Sequence, residues 1–280
     1  NLVESSPKDG GPAKLHSRKY PLPGDPFMTF ELNWFELSSK LRKKPDVGLI
    51  DFRWPRLRWS PDGRKFHYLK IDRGHQRLRV IEFDALTGKH RNVIDETSDT
   101  FIWTEHPKDL GVPLVNWLTK TPEIIYLSEM EGWRHLYLID VATGKITNPI
   151  TKGEFVVRYV DRIDEEKRQV WFRASGRNAG QDPYLMHYYR VNFDGSDLTA
   201  LTEGNGWHKI DYSPSRKFIL DTYSRVDLPP VHELRRVSDG TLVCKLEQAD
   251  VGELEAEGWR PPEVFKAKGR DGKTDIWGIV

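Results

Sequence analysis

An all-β fold, a partial β-propeller of four-stranded antiparallel blades, is what this sequence predicts. Three observations carry the prediction: short strand-like runs broken by polar reversals, an Asp/Gly turn signature that returns along the chain, and an aromatic-Ser-Pro marker in phase with it. The pattern is clearest over residues 124–151. An apolar run (124–127) meets a polar reversal at Glu129, Met130, Glu131 and Gly132, an alternating run (133–139) follows, a second reversal spans 140–145, and a third run opens at Ile146. Leu136 and Leu138 alternate with His135, Tyr137 and Ile139, the period-two pattern of a strand with two different faces. Gly144 can take the positive φ that closes a short hairpin, and Asp140 can accept hydrogen bonds from the turn backbone.

Taken in order, residues 1–50 are crowded with turn formers, among them Pro7, Gly10, Gly11, Pro12, Pro21, Pro23, Gly24 and Pro26, so only short strands fit, such as 30–37. The basic cluster Lys40, Arg42, Lys43 and Lys44 ends at Pro45 and reads as a solvated loop. From Leu57 the texture becomes regular. Trp59-Ser60-Pro61-Asp62-Gly63 is a turn, the strand 65–71 leads through Asp72, Arg73 and Gly74 into another at 78–83, and the turn 84–89 repeats the chemistry of 140–145. Further instances stand at 192–196 and 237–241. The turn aspartates Asp84, Asp140, Asp194 and Asp239 are 56, 54 and 45 residues apart, a spacing suited to blades. Tyr212-Ser213-Pro214-Ser215 repeats the marker at Trp59. Glu165-Glu166-Lys167 and Asn178-Ala179-Gly180 supply the remaining reversals, giving four blades over residues 52–250 and four to five in all. The chain is therefore expected to form part of a ring whose uncovered blade faces associate, which makes a homo-oligomer an expected state. After Leu246 an acidic stretch allows a short helix ended by Pro261-Pro262, and residues 263–280 read as one hairpin around Gly269-Arg270-Asp271-Gly272.

The 280 residues, 38% of them hydrophobic, suffice for a sizeable core. With 43 basic and 42 acidic residues interspersed and a net charge of +1, no basic face for nucleic acid is implied. No apolar run approaches the roughly 18 residues of a membrane helix, so no membrane partner is expected, and Asn1 opens without a charged and apolar leader. A single cysteine, Cys244, excludes an internal disulfide and a cysteine-based zinc site. His232-Glu233-Leu234-Arg235-Arg236 begins like a zinc-peptidase helix but lacks the second histidine and lies in strand-like sequence, so no metal or other cofactor is expected. The nine histidines are scattered and read as strand or loop residues with ordinary hydrogen bonds, and the ten tryptophans as filling between blade faces.

Several motifs in order, Tyr20-Pro21-Leu22-Pro23-Gly24-Asp25-Pro26, Glu131-Gly132-Trp133-Arg134-His135-Leu136-Tyr137, Ile150-Thr151-Lys152-Gly153 and the run 223–233 with Leu228-Pro229-Pro230, carry a resemblance. The chain resembles the propeller region of bacterial dipeptidyl peptidase IV-like serine peptidases of the prolyl oligopeptidase type. The resemblance implies an eight-bladed propeller covering an α/β-hydrolase domain, with residues 1–255 in the propeller and 256–280 as linker and first hairpin of the hydrolase domain. It implies release of dipeptides from peptide N-termini, a peptide substrate, the chain's own C-terminal hydrolase domain as partner, and an extracytoplasmic location. No serine here has glycine at both −2 and +2, the pattern of the nucleophile elbow, so the catalytic Ser, Asp and His are expected beyond Val280. The family's amine-binding Glu-Glu pair is expected before Asn1, since Glu165-Glu166 falls in a hairpin turn at another place in the order. The resemblance also points to substrate-pocket lining by Phe101 or Trp103, without the arginine that follows the aromatic in relatives. Arg73, in a loop at a blade edge, can hold a carbonyl or carboxylate of a peptide, against its reading as a solvated loop charge. The competing function is a free-standing, non-catalytic propeller that binds a protein partner.

Overall fold

The computed structural model describes residues 2–17, 22–52, 54–104 and 113–280. Four four-stranded antiparallel sheets, each a simple meander, occupy the region where the turn signature repeats. Sheet one is β5 (Arg58–Trp59), β6 (Lys65–Ile71), β7 (Arg77–Asp84) and β8 (His90–Thr97). Sheet two is β9 (Val115–Trp117), β10 (Glu123–Ser128), β11 (His135–Asp140) and β12 (Ile146–Pro149). Sheet three is β13 (Val156–Asp164), β14 (Gln169–Ser175), β15 (Met186–Asn192) and β16 (Thr199–Ala200), and sheet four is β17 (Trp207–Tyr212), β18 (Phe218–Arg225), β19 (Leu228–Arg236) and β20 (Leu242–Gln248). Before them lie two hairpins, β1 (Leu2–Glu4) with β2 (Lys14–His16), and β3 (Trp34–Glu36) with β4 (Leu41–Lys43). After them come a five-residue helix α1 (Gly252–Ala256) and the hairpin β21 (Val264–Lys268) with β22 (Asp275–Ile279). Tyr20 and Pro21 of the proline-rich motif lie outside the described residues.

All four predicted hairpin turns join the third and fourth strands of their sheets, and the aspartate does what its short carboxylate allows. Asp84 Oδ1 accepts from the amides of Leu86 and Thr87, Asp140 Oδ1 from the amide and hydroxyl of Thr143, Asp194 Oδ1 from the amide of Ser196, and Asp239 Oδ1 from the amide of Thr241. The turn glycines face a second demand. A Cβ on Gly144 would stand 2.7 Å from the Val93 carbonyl oxygen, on Gly195 3.2 Å from that of Pro149, and on Gly240 2.2 Å from that of Ala200. Each turn thus leans on the last strand of the preceding sheet, at a distance only a residue without a side chain permits. Side chains fasten the same junctions: Arg91 donates to the Val141 carbonyl, Asn148 to that of Phe193, and Arg190 to that of Ser238.

The core lies between the sheets. One cluster joins sheets one, two and three through residues such as Leu78, Ile124, Leu136, Val157 and Phe172, and another joins sheets three and four around Trp171, Tyr188, Leu201 and Ile219. The outer face of sheet one packs Phe66, Tyr68 and Phe83 against Ile50, Phe30 and Trp34 of the N-terminal segment. Packing on both sides corrects the two-faced reading of 133–139: His135 to Ile139 are all buried, because sheets one and three cover opposite faces of sheet two. The tryptophans also depart from expectation. Trp171 is buried, whereas Trp54, Trp59, Trp103, Trp133, Trp207 and Trp259 are exposed, and Tyr126, Tyr137, Tyr189, Phe83, Phe172 and Phe193 fill the gaps instead. Trp117 and Trp34 pack against the edges of the core, and single rings fill most of the close-packed gaps between the sheets. Of the basic cluster, Arg42 and Lys43 lie in strand β4 while Lys40 and Lys44 flank it outside the strand, with Lys44 paired to Glu31, Lys43 to Glu36 and Arg42 to the Asn33 carboxamide at the surface.

Candidate functional site

Antiparallel pairing sends the two ends of each strand pair to opposite rims. The rim of sheet one that carries the Asp84 turn also carries the turn 60–63, and the other carries the β6–β7 turn and the end of β8. On this second rim, between sheets one and two, a cavity of about 310 Å³ opens. One wall is the end of β8 and the segment after it, from Glu96 to Trp103; the other is the β10–β11 turn, with Ser128, Glu129, Met130, Gly132 and Arg134. Phe101 and Trp103, predicted from sequence as alternatives, both line it. Ile102 between them is buried while its two neighbours are half-exposed. The alternation of an extended segment therefore aims both aromatics away from the core.

Charge is distributed unevenly around the cavity. Glu96 Oε2 accepts from the Tyr126 hydroxyl at 2.5 Å and the Ser128 hydroxyl at 2.8 Å, which fixes that carboxylate against sheet two. Burial, with the Glu96 charge added, drives the Tyr126 phenol far above the ordinary range, so it remains a donor. Arg134 is only 4% exposed, and its guanidinium lies 5.1 Å from the centre of the Trp103 ring. Burial lowers its pKa against the opposing pull of Glu129, yet arginine stays charged throughout the physiological range. The cavity thus offers two aromatic faces, one desolvated guanidinium and a set of hydroxyls, a combination that can hold the backbone and one side chain of an extended peptide.

Arg73 is on the same rim but not in the cavity wall; its guanidinium sits 3.8 Å from the centre of the Phe27 ring. The structure brings Phe101 and Trp103 together in one cavity wall and leaves Arg73 outside it. No catalytic or binding motif in the sequence marks Arg134 and Glu129 as site residues, although Arg134 stands inside the run Glu131-Gly132-Trp133-Arg134-His135-Leu136-Tyr137. The signal available was a charged residue immediately before a buried strand, where a guanidinium must find a ring or an acceptor. Glu165 and Glu166 are likewise accounted for. Glu165 accepts from the Thr119 amide and hydroxyl and the Lys120 amide, clipping sheet three to sheet two, and Glu166 pairs with Lys120.

The sequence profile of the dipeptidyl peptidase IV (DPP IV) N-terminal region matches residues 2–230. The chain belongs to the DPP IV N-terminal region family. Similar curated proteins include the probable dipeptidyl peptidase 4 of Aspergillus flavus, 22% identical over 75% of this chain and 28% of that protein, and that of Emericella nidulans, 24% identical over 62% and 25%. Among solved structures, the crystal structure of Porphyromonas gingivalis dipeptidyl peptidase 4 superposes with a TM-score of 0.69 at 16% identity, covering 99% of this chain and 38% of that one. A putative dipeptidyl aminopeptidase IV from Bacteroides ovatus gives 0.68 at 18% identity, covering 99% and 40%. The DPP IV N-terminal region chain described here spans about a quarter of the length of the curated relatives, and the structural likeness shows a shared fold.

Proposed function

We propose that this chain is the substrate-gating and pocket-lining propeller portion of a serine exopeptidase that releases dipeptides from peptide N-termini. The observation that carries the proposal is the cavity holding Phe101, Trp103 and Arg134 on one rim of a DPP IV N-terminal region fold. In this reading residues 1–255 belong to the propeller and 256–280 to the linker and first hairpin of a hydrolase domain. The pairing of β21 with β22 alone, and the absence of buried residues in α1, support that boundary. The hydrolase domain supplies Ser, Asp and His, and the propeller supplies part of the chamber wall. Peptide binds by backbone contacts to Arg134 and side-chain contacts to the aromatics, which lowers KM rather than raising kcat.

The test is hydrolysis by the complete gene product and by the chain alone. Dipeptidyl chromogenic substrates and a fluorophosphonate probe should react with the complete product and not with residues 1–280 by themselves. In the complete product, Phe101→Ala and Trp103→Ala should each raise KM with little change in melting temperature. A complete product that neither hydrolyses nor labels would overturn the proposal.

A further inference from the structure

The segment that carries Phe101 is tied to the β6–β7 turn, and most of the ties run through one residue. The His75 carbonyl accepts from the Ile102 amide at 2.6 Å, and His75 Nδ1 shares a hydrogen bond with the Thr104 hydroxyl at 2.7 Å. Its ring stacks on Phe101 at 5.0 Å between centres and 25° between planes. The Phe52 ring meets it edge-on at 4.9 Å. Its neighbour Gln76 adds two more ties, its carbonyl accepting from the Ser98 amide and its carboxamide donating to the Asp99 carbonyl. The His75 backbone has φ 58°, the left-handed conformation, which histidine and asparagine tolerate better than most residues. A histidine held in that conformation and gripped by two rings and a buried hydroxyl is a built support.

We infer that His75 is a positioning residue for substrate binding: through its stack on Phe101 and its bonds to Ile102 and Thr104 it sets where Phe101 stands in the cavity wall. The inference rests on the pocket reading given above. His75 does not line the cavity, so its effect on a peptide passes through Phe101. An aromatic pair of this kind is worth about two- to tenfold in an equilibrium. That sets the size of the expected effect. It also explains why residues 98–104, which lie outside any strand, can present an aromatic in a fixed place.

The test uses His75→Asn, which keeps the backbone conformation and a partner for Thr104 but removes the stacked ring, and Phe101→Ala, singly and together, in the complete gene product. His75→Asn should raise KM for a dipeptidyl substrate about two- to tenfold with kcat retained. The double variant should be no worse in KM than Phe101→Ala alone. In parallel, 4-fluorophenylalanine at position 101 should give one narrow ¹⁹F resonance in the parent and a shifted, broadened one in His75→Asn, whether or not hydrolysis is measurable. If Phe101→Ala leaves KM unchanged, the pocket reading fails. If Phe101→Ala raises KM while His75→Asn does not, if the two effects multiply, or if the ¹⁹F resonance is unmoved, the positioning role of His75 fails.

Discussion

Acidification probes the junction of sheets three and four through His187. The ring is 2% exposed, 4.6 Å from that of His208, with Nε2 2.8 Å from the Gln181 carboxamide oxygen and Nδ1 without a hydrogen-bond partner. Burial first, and the neighbouring His208 ring second, push its pKa down to about 3. In the unfolded chain the same ring titrates near 6.5, so below that pH the unfolded state binds a proton that the folded state refuses. Stability tied to His187 is therefore complete above about pH 6.5 and declines as pH falls toward about 3, at up to about 1.4 kcal/mol per pH unit. Between about pH 6.5 and about pH 4.5 the loss reaches about 2 to 3 kcal/mol. Asp161 works in the opposite sense. Its burial outweighs the Arg173 guanidinium 2.8 Å away and raises its pKa to about 6, so its folded-state penalty is relieved as pH falls below 6. The parent's net slope sums these two with other shifted groups, His67 and His135 lowered by burial and Asp221 raised by it, so the informative quantity is a difference. Urea unfolding of the parent and His187→Phe, followed by near-ultraviolet circular dichroism at about pH 7 and about pH 4.5, should show the variant gaining about 2 kcal/mol on the parent between the two. Parallel pH profiles for the two proteins would refute the argument.

Gly240→Ala should cost more than about 2 kcal/mol, since it adds left-handed strain to a contact with the Ala200 carbonyl, whereas Gly132→Ala, with φ +89° and open space around it, should cost about 1 kcal/mol; urea midpoints decide. Glu165→Gln should lose about 1 kcal/mol by weakening three hydrogen bonds between sheets, while Glu166→Gln, 79% exposed in its ion pair, should stay within about 0.5 kcal/mol. The Glu165 hydrogen bonds outweigh its burial and hold its pKa low, so its contribution should fade as pH falls through the carboxylate range. Finally, β20 exposes Leu242, Val243 and Leu246 along a sheet edge, so light scattering should find the chain associating with rising concentration; a monomer at high concentration would count against it.

The blades were legible because their turns are chemically specified. An aspartate that caps its own turn and a glycine that must take positive φ leave a mark in sequence at Asp140 and Gly144 that does not depend on distant residues. The site was only half legible. Phe101 and Trp103 came from a resemblance, but the cavity joins residues 96–103 to residues 128–134, and no local pattern says that two turns of different sheets will face each other. In the sequence His187 and His208 look like ordinary scattered histidines for the same reason. They lie on β15 and β17 of different sheets, and only the stacking of those sheets makes them a pair. Trp171 shows the limit of composition: an abundance of tryptophan says nothing about which ring fits a given gap.

The glycine turns at 144, 195 and 240 make one rim of this molecule an angular gauge. Each presses a bare backbone on the sheet before it, so lengthening such a turn or giving it a side chain would change the wedge angle between neighbours and propagate to every later sheet. On the opposite rim the Val157 amide donates to the Arg134 carbonyl between sheets two and three, while the turn glycine there, Gly132, has open space around it. There the Gln181 carboxamide, between β14 and β15, donates to the Gly204 carbonyl, and residues from Glu96 to Trp103 face those from Ser128 to Arg134 across the gap between sheets one and two. New recognition chemistry can accumulate on that rim while the other keeps the pitch, so the division of labour between scaffold and specificity is drawn along the strand axis and not along the chain.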